Sequence, residues 1–228
     1  MIKAALFDLD GVVFETESQY SIFWGMIGRE YHPEIPDFEY RIKGQTLVQI
    51  YDKYFSEDSV FAHIKGYTDV KSEQDKITTR LNEFEKNMSY PYITGFEDFI
   101  KDLKQNGVKC AVVTSSNVQK MQNVYRQHPE FKGYFDRVLT SEDFAKSKPD
   151  PDCYVKGAAC FDAKPEECVG LEDSFNGLKA VRAAGAFTLG LSTTNSKESI
   201  EPYSDYVIAD YSGFTFADLV KVVEENKK

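Results

Sequence analysis

The sequence predicts an α/β protein with a parallel β-sheet, and three observations lead to that class. Short apolar runs typical of buried strands alternate with longer segments in which apolar residues recur at helical spacing. Parallel strands need a crossover between them, and a helix is the economical one, so the alternation predicts helices on both faces of the sheet. Three of the predicted strands also end in polar residues, at the edge where such sheets bind ligands.

The first predicted strand covers residues 2–7 and ends directly before Asp8. Residues 15–90 differ from the rest, because they contain helical spacing but no convincing buried strand. They predict a small α-helical domain inserted after the first strand, which leaves a discontinuous core of residues 1–14 and 91–228. The two connections between the core and the insert would lie beside the end of that strand, where a hinged cap can open and close. The apolar residues at helical spacing are Leu47, Ile50, Tyr51 and Tyr54, then Ile77, Leu81 and Phe84.

A helix and a strand are predicted directly after the insert. Gly107 follows the helical pattern and is typical of the left-handed turn that ends a helix. The strand covers residues 108–113 and leads into Thr114 and Ser115. The apolar face of the helix consists of Phe96, Phe99, Ile100 and Leu103.

A third strand, over residues 168–171, again stops in acids, Glu172 and Asp173. The next helix ends at Gly185, another residue suited to a left-handed turn. Leu178 and Val181 are the inward-facing residues of that helix. Two further strands are predicted over residues 187–191 and 206–209. A last helix has its apolar residues at Phe216, Leu219, Val220 and Val223.

The charge and the apolar content exclude several classes of protein. The formal net charge is −10, from 37 acidic and 27 basic residues, so no long-range field would gather nucleic acid or an anionic membrane. No run approaches the ~20 apolar residues that span a bilayer, and the first residues turn acidic too soon for a signal peptide. We therefore expect a cytoplasmic protein, and a monomer.

The four cysteines indicate neither zinc nor disulfides. They form no Cys-x-x-Cys pair and have no histidine cluster nearby. Cys110 and Cys168 lie in predicted strands, where a small buried thiol is the expected interpretation.

The acids at the strand ends suit phosphoryl transfer. A carboxylate can attack phosphorus to form an acyl phosphate that water then hydrolyses, which divides one difficult displacement into two easier ones. The attacking carboxylate repels an anionic ester unless a cation lies between them, and Mg²⁺ prefers such oxygen ligands. Asp8, the backbone carbonyl of Asp10 and Asp173 can supply oxygens for it. The Asp10 carboxyl can protonate the leaving alcohol and later activate water.

Negative charge that grows on the transferring oxygens needs hydrogen-bond donors or a cation aimed at it. Ser115 or Thr114 at a strand end and Lys148 can provide them. Lys148 stands beside two prolines that fix the local backbone before a helix.

Each pattern also has a purely structural interpretation. A lone Asp-x-Asp-Gly is more often a strand-ending turn, and two acids before Ser174 suit the N-terminus of a helix. Thr114 and Ser115 can be a helix cap that coexists with phosphate binding. A lysine in a polar turn, such as Lys148, is usually only solvated.

Taken together, four short motifs resemble the haloacid dehalogenase-like superfamily, whose members are mostly phosphate-transferring enzymes. The resemblance covers nearly the whole chain. The four motifs occur in the order of the family and each at its predicted structural place, which argues against a chance match. The motifs are Phe7-Asp8-Leu9-Asp10-Gly11-Val12 followed by Thr16-Glu17, Val112-Val113-Thr114-Ser115-Ser116-Asn117, Lys148-Pro149-Asp150-Pro151-Asp152, and Gly170-Leu171-Glu172-Asp173-Ser174-Phe175-Asn176-Gly177.

This resemblance implies a Rossmann-like three-layer core and a set of catalytic roles. Asp8 would be the nucleophile, Asp10 the general acid and base, and Lys148 the stabiliser of negative charge. Glu172 and Asp173 would hold Mg²⁺ together with Asp8 and Asp10, with Asp173 favoured as a direct ligand. Branches of the superfamily that cleave other bonds typically lack an aspartate at the position of Asp10. Its presence favours phosphate esters.

The resemblance also implies substrate-binding residues in the core and in the insert. Thr114, Ser115 and Asn117 would contact the substrate from the core. The insert resembles the helical cap of the branch that contains β-phosphoglucomutase, phosphoglycolate phosphatase and sugar-phosphate phosphatases. Arg41 and Lys43 lie in a segment similar to its specificity loop, although a solvated surface explains these two residues equally well.

Two departures from the mutase pattern favour simple hydrolysis of a small phosphorylated metabolite, a sugar or polyol phosphate. Tyr20 stands where those mutases carry a histidine, and Leu47 where they carry an arginine for a second phosphate. The retained pair of Lys43 and Gly44 leaves a hexose phosphate mutase as the alternative. A non-catalytic binding or regulatory protein on the same fold is a third hypothesis, and the complete catalytic set argues against it.

Overall fold

The computed structural model describes residues 2–43 and 45–226, and within them a parallel sheet of six strands forms the core. The strands are β1 (Ala4–Phe7), β2 (Lys109–Val113), β3 (Arg137–Leu139), β4 (Cys168–Glu172), β5 (Phe187–Leu191) and β6 (Tyr206–Ile208). Their order in the sheet is β3-β2-β1-β4-β5-β6, and each neighbouring pair is parallel. The chain builds outward from β1 in one direction and from β4 in the other, so the switch point lies between these two strands.

Helices connect the strands and form a separate group between β1 and β2. That group contains α1 (Glu17–Tyr31), α2 (Phe38–Arg41), α3 (Leu47–Tyr54), α4 (Asp58–Phe61) and α5 (Val70–Asn87). The helices that follow are α6 (Phe96–Gln105), α7 (Val118–Gln127), α8 (Phe131–Tyr134), α9 (Asp152–Ala159), α10 (Phe175–Ala184), α11 (Lys197–Ile200) and α12 (Phe216–Asn226).

The two faces of the sheet carry separate apolar layers. On β1, Ala5 and Phe7 point to one face, whereas Ala4 and Leu6 point to the other, as expected for a strand buried on both sides. Helices α6, α7 and α12 cover the first face, and α9 and α10 cover the second. The predicted three-layer α/β architecture is therefore confirmed.

Helices α1 to α5, called here the helical insertion, pack around an apolar cluster of their own. Its buried members are Phe23, Trp24, Ile27, Tyr31, Phe38, Ile42, Ile50, Phe55, Phe61, Ile77 and Leu81. The chain enters and leaves the insertion side by side, because the N–H of Glu15 donates to the carbonyl of Pro91 over 2.8 Å. Phe14 also stacks on Tyr92, with ring centroids 4.8 Å apart. The two connections therefore form one paired crossing at the sheet.

The glycines at the ends of two helices behave as the sequence predicts. Gly107 follows α6 with φ of +78°, and Gly185 follows α10 with φ of +88°, a conformation that glycine adopts without steric cost. Strand β3 was not predicted, because it has three residues at the edge of the sheet and its first side chain is exposed. Cys110 and Cys168 are buried free thiols, as predicted. Across the described ranges, no helix combines the length and apolar content needed to cross a membrane.

Candidate active site

The polar residues at the ends of β1, β2 and β4 converge on one cavity. β1 pairs with β2 on one side and with β4 on the other, so the three strands end at the same edge of the sheet. The cavity there has a volume of about 570 Å³. Its walls include Asp8, Asp10, Ser115, Lys148 and Asp173 from the core, and residues of α1, α3 and α5 face them.

Lys148 connects the carboxylates that follow β1 and end β4. Its ammonium lies 2.6 Å from Oδ1 of Asp8 and 2.5 Å from Oε1 of Glu172, and Lys148 is only 4% exposed. Burial alone would lower the pKa of Lys148, but the charges of Asp8 and Glu172 raise it well above its usual range. The lysine therefore carries a permanent positive charge beside Asp8. The structure does not place it in the solvated turn that is the ordinary interpretation of such a lysine.

Asp8 is buried at the floor of the cavity. Burial raises its pKa to about 7, because the lowering effect of Lys148 does not fully offset the loss of water and the charges of Glu172 and Asp10. A buried carboxylate with few water contacts is a stronger nucleophile than a solvated one once it is ionised, and a bound cation favours that ionised form.

Glu172 is held by hydrogen bonds on both carboxylate oxygens. Oε1 accepts from Lys148 and from the hydroxyl of Tyr154, the latter over 2.8 Å. Oε2 accepts from the Ser174 hydroxyl over 3.2 Å, and Ser174 also caps α10 by accepting from the N–H of Gly177. The start of α10 thus fixes Glu172, and Glu172 in turn orients Lys148 toward Asp8.

Four donor contacts hold the Asp10 carboxylate. The Thr16 hydroxyl donates over 2.5 Å, the Ser116 hydroxyl over 3.0 Å, and the Lys120 ammonium lies 2.5 Å from each oxygen. Burial raises the pKa of Asp10, but the Lys120 charge and these hydrogen bonds outweigh it and hold the pKa below its usual range. Asp10 is therefore ionised in this arrangement.

Asp8, Glu172 and Asp173 form an acidic cluster that suits a divalent cation. One carboxylate oxygen of each lies within 4.8 Å of the others, and all three residues are buried. Burial, followed by the charges of Glu17, Glu172 and Asp8, raises the pKa of Asp173 well above its usual range. The Thr194 hydroxyl donates to one Asp173 oxygen. Carboxylate oxygens grouped in this way are the hard donors that Mg²⁺ prefers.

The predicted phosphate-binding residues lie together at the end of β2. Ser115 is half-buried and lines the cavity. Thr114 is buried, and its hydroxyl oxygen accepts from the N–H of Ser116 over 3.0 Å. Asn117 lines the cavity and also caps α7, because its side-chain oxygen accepts from the N–H of Lys120 over 2.8 Å. The capping and cavity-lining roles of this segment therefore coexist.

The two cationic residues of the insertion that were predicted to contact the substrate occupy different places. Lys43 lines the cavity and pairs with Glu17 over 3.1 Å. Arg41 is exposed, donates to the carbonyl of Pro36 over 3.3 Å and lines a neighbouring surface cavity. Gly44, which completes the predicted pair with Lys43, lies outside the described residues.

Two cavity-lining residues were not singled out in the sequence, Lys120 and Glu85. Glu85, on α5, accepts from the Tyr20 hydroxyl over 2.8 Å, and the Lys120 ammonium lies 4.5 Å from the centre of the Tyr20 ring. The available signal was weak for both, because each is a charged residue within an otherwise ordinary helical pattern. Their roles depend on contacts between residues far apart in the sequence.

Comparisons with known proteins agree with this geometry. The family model of haloacid dehalogenase-like hydrolases matches residues 2–185. The chain is 28% identical over 202 residues to a β-phosphoglucomutase of Bacillus subtilis (strain 168), with 83% of each protein covered. It is 24% identical over 203 residues to a validoxylamine A 7′-phosphate phosphatase of Streptomyces hygroscopicus subsp. limoneus, covering 88% of this chain and 90% of that protein.

A solved structure shows the same fold. It is a haloacid dehalogenase hydrolase, family IA, variant 3, from Entamoeba histolytica, with a TM-score of 0.81 at 17% sequence identity. The match covers 98% of this chain and all of that one. The family model covers well over half of the residues, and the chain is therefore a member of the haloacid dehalogenase-like hydrolases.

Proposed function

We propose that this protein is a magnesium-dependent phosphatase that hydrolyses a small phosphorylated metabolite through a phosphorylated Asp8. The observation that carries the proposal is the position of Asp8, which lies 2.6 Å from a buried lysine and within 4.8 Å of two further carboxylates. Such a site can bind an anionic phosphate group only when a cation and the lysine offset the local negative charge. Relatives named as phosphatases support the same reaction class.

The first half of the reaction transfers the phosphoryl group to the protein. An Asp8 carboxylate oxygen forms a bond to phosphorus while the bond from phosphorus to the ester oxygen breaks. The leaving alkoxide takes a proton from the Asp10 carboxyl group. Because Lys120 holds Asp10 ionised, that proton must first arrive at Asp10, and a substrate that enters as its monoanion brings one.

The second half releases inorganic phosphate. Asp10, now a carboxylate again, takes a proton from water as the water oxygen forms a bond to phosphorus. The bond between phosphorus and the Asp8 oxygen breaks, and the proton on Asp10 leaves with the phosphate, so both aspartates return to their carboxylate form. Lys148 stays beside Asp8 in both halves, where its charge stabilises the transferring oxygens together with Ser115.

Mg²⁺ would be held by Asp8, Asp173 and the backbone carbonyl of Asp10. Glu172 would support this site through its hydrogen bonds. When bound, the ion offsets the charge of the phosphate and of the nucleophile. Glu172 suits the supporting role because both of its oxygens already accept hydrogen bonds, including one from Lys148.

We also propose that residues 15–90 are a cap domain over a core of residues 1–14 and 91–228. The separate apolar cluster of the helical insertion and the paired crossing at Glu15 and Pro91 support this division. Cap closure would exclude bulk water and select the leaving group. A monomer in the cytoplasm remains our expectation.

Phosphate release from a panel of phosphate esters tests the proposal. With Mg²⁺ present we expect release from at least one ester, and chelation of the metal should abolish it. Asp8→Asn should lower kcat by roughly 10⁴-fold or more, since an amide is a poor nucleophile. Asp98→Asn is the matched control, because Asp98 is exposed on α6. Release that survives in Asp8→Asn would assign the nucleophile to another residue.

A hexose phosphate mutase is the second candidate, favoured by the 28% identity to a β-phosphoglucomutase. In that reaction the phosphorylated aspartate returns its phosphoryl group to a second hydroxyl of the substrate instead of to water. A coupled assay with β-glucose 1-phosphate and catalytic bisphosphate separates the two. Formation of glucose 6-phosphate that outpaces phosphate release would favour the mutase.

A further inference from the structure

The bases that line the active-site cavity are already paired. In the described part of the chain they are three lysines, and each lies within 3.1 Å of a carboxylate. Lys148 contacts Asp8, Lys120 contacts Asp10, and Lys43 contacts Glu17. Lys148 faces the phosphate that reacts. Neither of the other two lysines is available to a second anionic group unless it gives up its partner.

Acids, by contrast, are in excess on the walls away from Asp8. Glu39, Glu85 and Glu142 line the same cavity, in addition to the acids that pair with lysines. A second phosphate or a carboxylate on the substrate would enter this negative field in a partly dry space, where repulsion between like charges is strong. The cavity therefore selects against a substrate with two anionic groups.

Glu85 offers a hydrogen-bond acceptor to the substrate. It is only 6% exposed, and its Oε1 accepts from the Tyr20 hydroxyl over 2.8 Å. Within residues 2–43 and 45–226, no protein donor contacts its second carboxylate oxygen. The second oxygen is therefore an acceptor on the cavity wall that no donor from the described residues occupies, and it favours ligands that donate to it.

An apolar wall accompanies this acceptor. The cavity has a volume of about 570 Å³, which leaves room for one ring-sized alcohol beside the phosphate. The C–H face of a sugar ring suits such a wall, and the ring hydroxyls suit Glu85. The apolar residues that line the cavity include Trp24, Ile42, Leu47, Ile50 and Leu81.

We propose that the substrate is a monophosphate of an uncharged, polyhydroxylated, ring-sized alcohol, and that Glu85 accepts a hydrogen bond from one of its hydroxyls. This inference rests on the proposed phosphatase function and adds the substrate class and a specificity residue. Bisphosphates and phosphorylated acids are excluded by the charge of the cavity walls, and a substrate without hydroxyl groups leaves Glu85 unpaired.

A panel of matched esters tests the substrate class. Glucose 6-phosphate, fructose 6-phosphate and sorbitol 6-phosphate are compared with glucose 1,6-bisphosphate, fructose 1,6-bisphosphate and 6-phosphogluconate, which add one anionic group. Glucosamine 6-phosphate carries an additional ammonium group. Acetyl phosphate has no ring, so its hydrolysis measures phosphoryl transfer independently of ring recognition. We expect the highest kcat/KM for an uncharged alcohol, at least ~10-fold above its anionic counterpart, the factor that corresponds to about 1.4 kcal/mol.

Each outcome of the panel has a separate meaning. Equal or faster hydrolysis of an anionic counterpart overturns the substrate class, and so does a tenfold preference for glucosamine 6-phosphate. Hydrolysis of acetyl phosphate alone overturns the substrate class but leaves the phosphatase function intact. If acetyl phosphate, an acyl phosphate, and all of the phosphate esters are stable in the presence of Mg²⁺ and folded protein, the phosphatase function itself is wrong.

Substitution of Glu85 tests the specificity residue. Glu85→Ala should lower kcat/KM for the best polyol phosphate by about 10- to 100-fold relative to acetyl phosphate, mainly through KM, as expected for one hydrogen bond to a charged group. Glu85→Gln keeps the volume and should give a smaller loss, which keeps the test valid if the alanine variant does not fold. Glu83→Gln, exposed on the same helix, is the control and should leave the ratio unchanged. An equal loss for acetyl phosphate in both Glu85 variants would show a structural role only and overturn the assignment.

Discussion

Single charged side chains determine how this site works, and Lys120 is the clearest case. It is 2% exposed, and its ammonium lies 2.5 Å from both oxygens of Asp10. The two charges stabilise each other only as a pair, because either one alone would be an uncompensated charge in a largely dry site. Lys120 therefore fixes the position of the proposed acid and base before any substrate binds.

Lys120→Met should lower the free energy of unfolding by about 3–5 kcal/mol, since it leaves the Asp10 carboxylate without its cation. Chemical denaturation measures the loss. Lys132→Met is the control, because Lys132 is exposed and its ammonium contacts only the Tyr125 ring, 4.5 Å from its centre, which predicts a loss below about 1 kcal/mol. The double variant Asp10→Asn/Lys120→Met should recover part of the stability. Equal losses for the two lysine variants would contradict the pairing.

Glu85 should make stability depend on pH. Burial raises the pKa of Glu85 above its ordinary value of 4.5. The charge of Lys120 and the hydrogen bond from Tyr20 lower this pKa, whereas the charge of Asp10 raises it further. Between 4.5 and the raised pKa the folded protein binds more protons than the unfolded chain, so its stability falls as the pH rises through that window.

Glu85→Gln removes this ionisation, so its free energy of unfolding relative to wild type should improve as the pH rises from 4.5 through the raised pKa and then stay constant. Denaturation of both proteins along the pH series measures the difference in metal-free buffer. Glu83→Gln controls for the loss of one negative charge from the same helix. A difference that stays flat, or that moves against Glu85→Gln at high pH, would contradict the raised pKa.

At the scale of elements, the contact between α10 and β4 decides whether the site can form. Gly177 lies in the first turn of α10, and a Cβ atom there would lie about 1.9 to 2.1 Å from the carboxylate atoms of Glu172. Only a glycine lets the helix approach the end of the strand so closely. The helix start then holds Glu172, which in turn positions Lys148 beside Asp8.

Gly177→Ala should therefore displace Glu172, lower kcat and reduce the free energy of unfolding by about 1–3 kcal/mol, as is typical of overpacking. Gly133→Ala is the matched control, because Gly133 lies in α8 and no heavy atom outside its own turn lies within 4 Å of a Cβ built there. That substitution should be neutral or stabilise slightly. Activity assays and thermal denaturation of both variants measure the contrast. Normal activity in Gly177→Ala would show that the helix can move away at little cost.

The same scale shows what the sequence could and could not predict. The ends of β1, β2 and β4 were predictable because each is a local pattern, an apolar run that stops at polar residues. The contact of Lys120 with Asp10 was not, because the two residues are 110 positions apart. It depends on the register that pairs Phe7 with Val112 and on the start of α7, neither of which leaves a local trace.

At the scale of the whole molecule, the helical insertion and the sheet pack as two parts. The two parts have separate apolar clusters and a single paired crossing. Polar contacts join them on two sides. On one of them, the Gln49 side chain donates to the carbonyl of Lys148 over 3.2 Å, and the Ser147 hydroxyl donates to that of Thr46 over 3.4 Å. Both contacts connect α3 to the segment that carries Lys148, so a movement of α3 would change the contacts of that segment.

This division predicts a hierarchy of local stability. Amides of β1 and β4, at the centre of the sheet, should exchange with solvent only on global unfolding, whereas those of α3 should exchange through smaller openings of the insertion. Hydrogen exchange read by mass spectrometry measures both in one sample. Mg²⁺ with inorganic phosphate should slow exchange in α3 and leave β1 unchanged, because a ligand that fills the cavity favours the closed arrangement. Exchange of α3 and β1 at one common rate would mean that the insertion and the sheet unfold as a single unit, and that closure does not select the substrate.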